Sequence, residues 1–312
     1  MHINVDSPYI NVLKRALKTA FWVIRIVIPT SLVVTLLDYY GVIGYISRFT
    51  EPLFSFIGLP GEAAVVYVTS VFLPLYVAIA AMGALALDLR ELTIIALMCL
   101  IAHNLPVESA VQRRCGLPVW QSVSLRIGFS FAGALLLDSV LPGDMSMMSP
   151  LLAQSGWAIV SVADALRSWF MMVLSLSVKL IAIIVALMYV QDYLKRHGIL
   201  QIISRYMSPF MKMCGLKPSS SFIWLIANIV GLTYGAGIMA QEVEGASDAD
   251  IVELRNVNRH VALNHSLVED TLIFTMIGVG WYWLIVPRLI FAVVVVWTSR
   301  LLNAKCAMCN AQ

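Results

Sequence analysis

LIAHNLPVESAVQRR, residues 100–114, closes an apolar run that begins at Leu92 and then places His103, Asn104 and Glu108 around Pro106 before two arginines. The run LTIIALMCLIA (92–102) has eleven residues, about half of the ~20 that a helix needs to cross a bilayer. Pro106 removes a backbone donor and disfavours helix at Leu105, so the spacing predicts a break there. Backbone freed by a break cannot stay unsatisfied in hydrocarbon. The tip carrying His103, Asn104 and Glu108 is therefore expected against protein or a watery cavity, with Arg113 and Arg114 returning it to the surface it left.

The surroundings show why hydrocarbon is the solvent to consider. Of 312 residues, 60% are hydrophobic and only 12% charged, and the mean hydropathy of +0.85 lies far above that of a soluble domain. Charge-poor windows at 19–37, 63–87, 117–137, 169–190, 219–240 and 279–298 each approach membrane-spanning length. A soluble bundle would need polar outer faces that 63–87 and 219–240 lack. The start, MHINVDSPYINVLKRALK, has no apolar core followed by a cleavage site, so no removable leader is expected. Cys99, Cys115 and Cys214 are scattered, and the lone Cys306/Cys309 CxxC is a weak metal signal, so neither a disulfide framework nor a metal is expected.

The chain is written twice. Ser47, Arg48, Pro52 and Gly58 recur as Ser204, Arg205, Pro209 and Gly215 at an offset of 157, and Arg25 meets Lys179 at 154. At 161, His103-Asn104 aligns with Asn264-His265 and Glu108 with Glu269; at 162, Arg126 aligns with Arg288. Two copies, 13–140 and 167–301, are thus expected around a connector at 141–166, with a tail at 302–312. The positive-inside rule orients them. If 92–111 and 260–277 cross fully, basic residues divide 9 inside and 8 outside; if both dip in and return, 13 and 4. The second count predicts an all-α polytopic protein of two inverted-topology repeats: six transmembrane helices, two re-entrant segments, and interfacial helices at 42–57 and 199–213.

Ionisable groups at membrane depth are expensive and usually mark a pathway. Glu108 and Glu269 are candidate coupling groups, His103, Asn104, Asn264 and His265 candidate solute contacts, and Arg126, Arg288, Arg25 and Lys179 charge-balancing cations. Such polar groups also tie helices together without touching a solute. His103 to Glu108 spans five residues and His265 to Glu269 four, which argues against one repeated metal-ligand geometry. No HExxH, GxSxG or phosphate loop is present, so neither an enzyme nor a cofactor is expected.

GLPGEAA (58–64) with its apolar sequel, the segment from LDLREL to AHNLPVESAVQRRCGLP (87–118), and the degenerate second copy resemble the Gate, or nucleoside-recognition, domain. That family includes parts of concentrative nucleoside transporters and of the ferrous iron permease, and spore maturation proteins A and B. The resemblance implies a transport-like membrane fold with paired hairpins and names no cargo, since the permease's GTPase and the nucleoside transporters' extra helices are missing. The expected function is secondary transport of a small polar or anionic solute in a bacterial or archaeal cytoplasmic membrane. A lipid-phosphate translocase and a non-transporting partner of a larger membrane complex are the rivals. The bilayer, a solute or lipid headgroup, and a homo-oligomer or membrane-protein partner are the expected contacts, and nucleic acid is not one.

Overall fold

The computed structural model describes residues 8–85, 87–143, 145, 161–232, 235, 239 and 248–309, with backbone alone for 8, 248, 249 and 304–309. The described residues form helices joined by turns, an all-α fold. The first copy contains α1 (Pro8–Tyr39), α2 (Val42–Phe54), α3 (Ala63–Phe72), α4 (Leu75–Ala84), α5 (Leu89–Ala102), α6 (Leu105–Arg114) and α7 (Val119–Val140). The second contains α8 (Val162–Arg196), α9 (Ile199–Tyr206), α10 (Ser208–Met213), α11 (Ser221–Ile229), α12 (Asp248–Asn264), α13 (Glu269–Thr275) and α14 (Trp281–Cys309). Most of the expected connector lies outside the described residues.

Five segments are long and apolar enough to cross a membrane: Tyr9–Tyr39, Leu89–Arg114, Val119–Val140, Val162–Arg196 and Trp281–Asn303. The protein is a multi-pass membrane protein, and its surface agrees. The short helix α2 turns Tyr45, Phe49 and Leu53 outward, α9 does the same with Ile202 and Tyr206, and Trp120, Trp281 and Tyr282 stand exposed near span ends, where amphipathic rings favour the headgroup level.

The expected windows 63–87 and 219–240 are corrected. The first is a re-entrant hairpin, not a span. Leu73 and Pro74 are extended (ψ 163° and 148°) and separate two ten-residue arms, α3 and α4, each about 15 Å long and so about half a hydrocarbon core. The arms return to one end of the molecule. Gly58, before α3, packs against Asp138, and Arg90, after α4, donates to the same Asp138 carboxylate at 2.7 Å. Apolar length cannot distinguish one crossing from two half-crossings; Pro74, which removes a donor at the turn, is the residue that could have.

The second hairpin is built alike. A Cβ on Gly235 would lie 2.9 Å from the Cβ of Ala227, a distance that one continuous helix over eight residues, rising about 12 Å, cannot give. Gly235 belongs to the Tyr234–Gly237 stretch, whose other members lie outside the described residues. At this hairpin's base Arg300 reaches the Gly215 carbonyl and pairs with Glu253 at 2.7 Å. Residues 90 and 138 correspond to 252 and 300, so the two clasps have exchanged their charges: cation on α5 and anion on α7 in one, anion on α12 and cation on α14 in the other.

The segment that opened the sequence reading is likewise corrected, from a re-entrant tip to a broken span. Along antiparallel α7, Arg90 meets Asp138, Ile101 and His103 meet Arg126, and Ser109 meets Ser122. Contacts that march one way along a straight partner mean that α6 continues where α5 was heading. Only two residues, His103 and Asn104, interrupt the helix. Equivalent helices α1 and α8 run antiparallel, with Arg15 beside Asp192 and Tyr189 beside Tyr9 at one end, and Trp169 donating to Ser31 at the other.

Candidate functional site

The two helix breaks are copies of one device. Asn104 and Ser266 have left-handed backbones (φ 47° and 48°), a conformation uncommon outside glycine. Asn104 N–H donates to Ser70 O in the first hairpin, and Ser266 N–H to Ala227 O in the second. The left-handed residue thus aims its amide sideways, at a hairpin arm, and each hairpin is docked on the break of its own copy.

An arginine from the following helix satisfies the carbonyls that each break exposes. Arg126 donates to Ile101 O and His103 O, both at 2.7 Å. Arg288 donates to Leu263 O at 3.1 Å and His265 O at 2.5 Å. Both side chains are fully buried. The guanidinium charge sits at the carbonyl end of a helix, where the dipole favours a cation. Arg25 is exposed and Lys179 half-buried beside Leu176 and Ile273, so neither joins this centre.

These paired contacts set the register between copies at 162, one more than the sequence alignment suggested. His103 corresponds to His265, Asn104 to Ser266, and Glu108 to Asp270. His103 Nδ1 lies 3.0 Å from Cys99 O and His265 Nδ1 3.2 Å from Val261 O, which fits the same offset. Asp270 is the functional-site residue that sequence reasoning missed; the unbroken 162 spacing of Arg126 and Arg288 was the signal that could have found it.

At the centre the two copies touch. The imidazoles lie 4.9 Å apart between ring centroids, with Nε2 to Nε2 at 3.3 Å. Glu108 reaches three partners: His103 at 3.2 Å, His265 at 3.0 Å and Arg126 at 2.7 Å. Asp270, one methylene shorter, approaches His103 at 3.6 Å. Asp270 Oδ2 and Arg288 Nη1, both buried, have no hydrogen-bond partner. The pseudo-symmetric centre is therefore tightly paired on the Glu108 side and open on the Asp270 side.

Two expected site residues fall elsewhere. Glu269 points away from the histidines, accepting from Tyr76 Oη at 3.4 Å and Gln191 Nε2 at 3.2 Å, and so joins α13 to the first hairpin and α8. Asn264 is buried beside His260, at 3.1 Å, which in turn accepts from Trp224 Nε1 at 2.9 Å. Asn104 contributes backbone geometry at the break, and its side chain makes no capping bond.

Comparison with known proteins fits this architecture. The family model described as "Nucleoside recognition", Gate, matches residues 20–113, from within α1 to the last turn of α6. An uncharacterized membrane protein of Bacillus subtilis (strain 168), YvoD, is 32% identical over 278 residues, covering 86% of this chain and 86% of its own. No solved structure matches the chain. Similarity that runs through both copies, together with a first copy that fits the Gate pattern from α1 to the broken span, means that the chain belongs to the Gate, or nucleoside-recognition, family of membrane proteins.

Proposed function

We propose that this protein is a secondary transporter of the bacterial or archaeal cytoplasmic membrane, moving a small polar or anionic solute, nucleoside-related by the family's description, through the centre between the two broken spans. The observation that carries this reading is the pairing of two half-depth hairpins with two interrupted helices around one buried polar cluster. Transporters use discontinuous helices in inverted repeats because rocking one half against the other exposes a shared site to alternate sides. Here six crossings, α1, α5–α6, α7, α8, α12–α13 and α14, give three per copy, an odd number that inverts the second.

Charge supports that arrangement better than the first topology did. Of 21 Lys and Arg, Arg25, Arg126, Lys179 and Arg288 lie within spans, and Arg48, Arg90 and Arg167 fall on the outer side. The remaining 14 are inside, against 13 and 4 before the hairpins were reassigned.

Glu108 and Asp270 take the coupling role, His103 and His265 meet the solute, and Arg126 and Arg288 balance charge while holding the breaks. Uptake of labelled nucleosides and small organic anions into proteoliposomes tests this. Glu108→Gln with Asp270→Asn should abolish uptake in protein that still elutes as a folded species, while Glu269→Gln retains it. Uptake unchanged in the double variant removes the coupling role.

A second reading, a non-transporting membrane partner, is favoured by one observation: the Glu108 carboxylate is already filled by two imidazoles and a guanidinium at 2.7–3.2 Å. Absence of uptake for every solute, together with co-purification of a second membrane protein, would favour it. The lipid-translocase reading loses its main residues, because Arg126 and Arg288 are buried on backbone carbonyls and face no lipid-open groove.

A further inference from the structure

The central imidazoles present a bonding problem that the protein's own donors do not solve. Each Nδ1 faces a backbone carbonyl one turn back, Cys99 O or Val261 O. A carbonyl only accepts, so Nδ1 carries the ring proton and Nε2 offers a lone pair. The two Nε2 atoms face each other at 3.3 Å, and their other polar neighbours are carboxylate oxygens of Glu108 and Asp270. Acceptors that converge on one point require a cation there.

The spacing indicates which kind. Ligand atoms about 2.0–2.1 Å from a tetrahedral ion stand about 3.3–3.4 Å apart. The observed separations are 3.3 Å between the imidazoles, 3.2 and 3.0 Å from them to Glu108, and 3.6 Å from His103 to Asp270. One ligand atom each from His103, His265 and Asp270 fall within 4.8 Å of one another. The surroundings also fit: an Nδ1–H bonded to a carbonyl is the usual outer-shell support of a metal-binding histidine, and Arg126 orients the Glu108 carboxylate in the same way. Two carboxylates neutralise a divalent charge, and each guanidinium is already matched to a helix carbonyl end.

We propose that His103, His265, Glu108 and Asp270 together bind one divalent transition-metal ion of the zinc class, through nitrogen and oxygen ligands. The unequal spacing that argued against a metal in the sequence disappears in the structural register, since His103 to Glu108 and His265 to Asp270 both span five residues. The site concerns equilibrium binding and does not depend on transport.

The test uses the full chain purified in detergent, stripped with a chelator and carrying Cys306→Ser and Cys309→Ser, so that the tail thiols cannot compete. Zn2+ titrated against a chromophoric chelator should show one tight equivalent per chain, and Co2+ should give visible ligand-field bands with no near-ultraviolet thiolate band. His103→Gln with His265→Gln should lower Zn2+ affinity by about 100-fold or more, and the outer-shell change Arg126→Lys by about 10-fold. Asp270→Asn, which leaves the other ligands and the helix breaks in place, should also lower affinity, and serves if the double histidine variant fails to fold. No stoichiometric metal on the parent protein, or affinity unchanged by Asp270→Asn, overturns the proposal. Metal binding without solute uptake would remove the transport reading alone.

Discussion

At the scale of single residues the buried arginines carry most of the risk. Removing Arg126 leaves Ile101 O, His103 O and Glu108 Oε2 without their donor in a buried site, and breaking a buried pair from one side is strongly destabilising. Arg126→Met is therefore expected to cost about 3–5 kcal/mol, read as a lowered thermal midpoint in detergent, and adding Glu108→Gln should recover part of it. The break itself makes a smaller, backbone demand. At φ 47° a Cβ costs about 1–2 kcal/mol, and the Asn104 side chain caps nothing, so Asn104→Ala should be less stable than Asn104→Gly by about 1 kcal/mol. The sequence made the candidates visible, because His, Glu and Arg are conspicuous among apolar neighbours. It hid the pairing. Two adjacent acids, Glu269 and Asp270, both sit near the right place, and a one-residue slip at the degenerate second break made Glu269 look equivalent to Glu108. Local identity favoured glutamate; the contacts of Arg126 and Arg288 with carbonyls 25 and 23 residues before them favour aspartate.

At the scale of elements, a broken span and a re-entrant hairpin are written in nearly the same apolar letters, and this explains the exchange between 63–87 and 92–111. Pro106 lies at the start of α6, where its missing donor is harmless, whereas Pro74 lies at the real reversal. The hairpin reading makes a sidedness prediction. In a background with the native cysteines replaced, Glu62→Cys and Glu91→Cys should react with an impermeant thiol reagent from one face, and Arg113→Cys from the other. A 63–87 span would put the first two on opposite faces. The clasp that closes the first hairpin is partly exposed, with Arg90 23% and Asp138 33% accessible, so the ion pair contributes about 1 kcal/mol or less. Arg90→Asp should loosen the hairpin, seen as faster proteolysis between residues 58 and 88, and Arg90→Asp with Asp138→Arg should restore protection. The second clasp already carries its charges in that exchanged order, between Glu253 and Arg300, so the geometry accepts either arrangement.

At the scale of the whole molecule, inversion follows from parity. Each copy has one continuous span, one broken span and another continuous span, while its interfacial helix and hairpin return to the face they left. Three crossings turn the second copy over, and antiparallel α1 and α8 meet along their length as that requires. The repeat and the odd crossing number were legible in the sequence, since neither depends on which apolar window is the hairpin: exchanging one half-depth segment for another leaves the parity unchanged. The exchange does move charges. Arg90 passes to the outer face while Arg255 and Arg259 pass to the inner, so orientation rests on the bases of the hairpins. Reporter fusions separate the arrangements. Alkaline phosphatase joined after Arg114 or after Arg196 should be inactive, because both sites lie on the cytoplasmic face, and joined after Gly143 it should be active. A fusion after Arg90 is the discriminating case. The structure places that residue beside Asp138 on the outer face, so the enzyme should be active there, whereas a spanning 63–87 would leave it in the cytoplasm and inactive. An inactive fusion at Arg90 with an active one at Gly143 would break the shared clasp at Asp138, and with it the docking of the first hairpin on the His103 break.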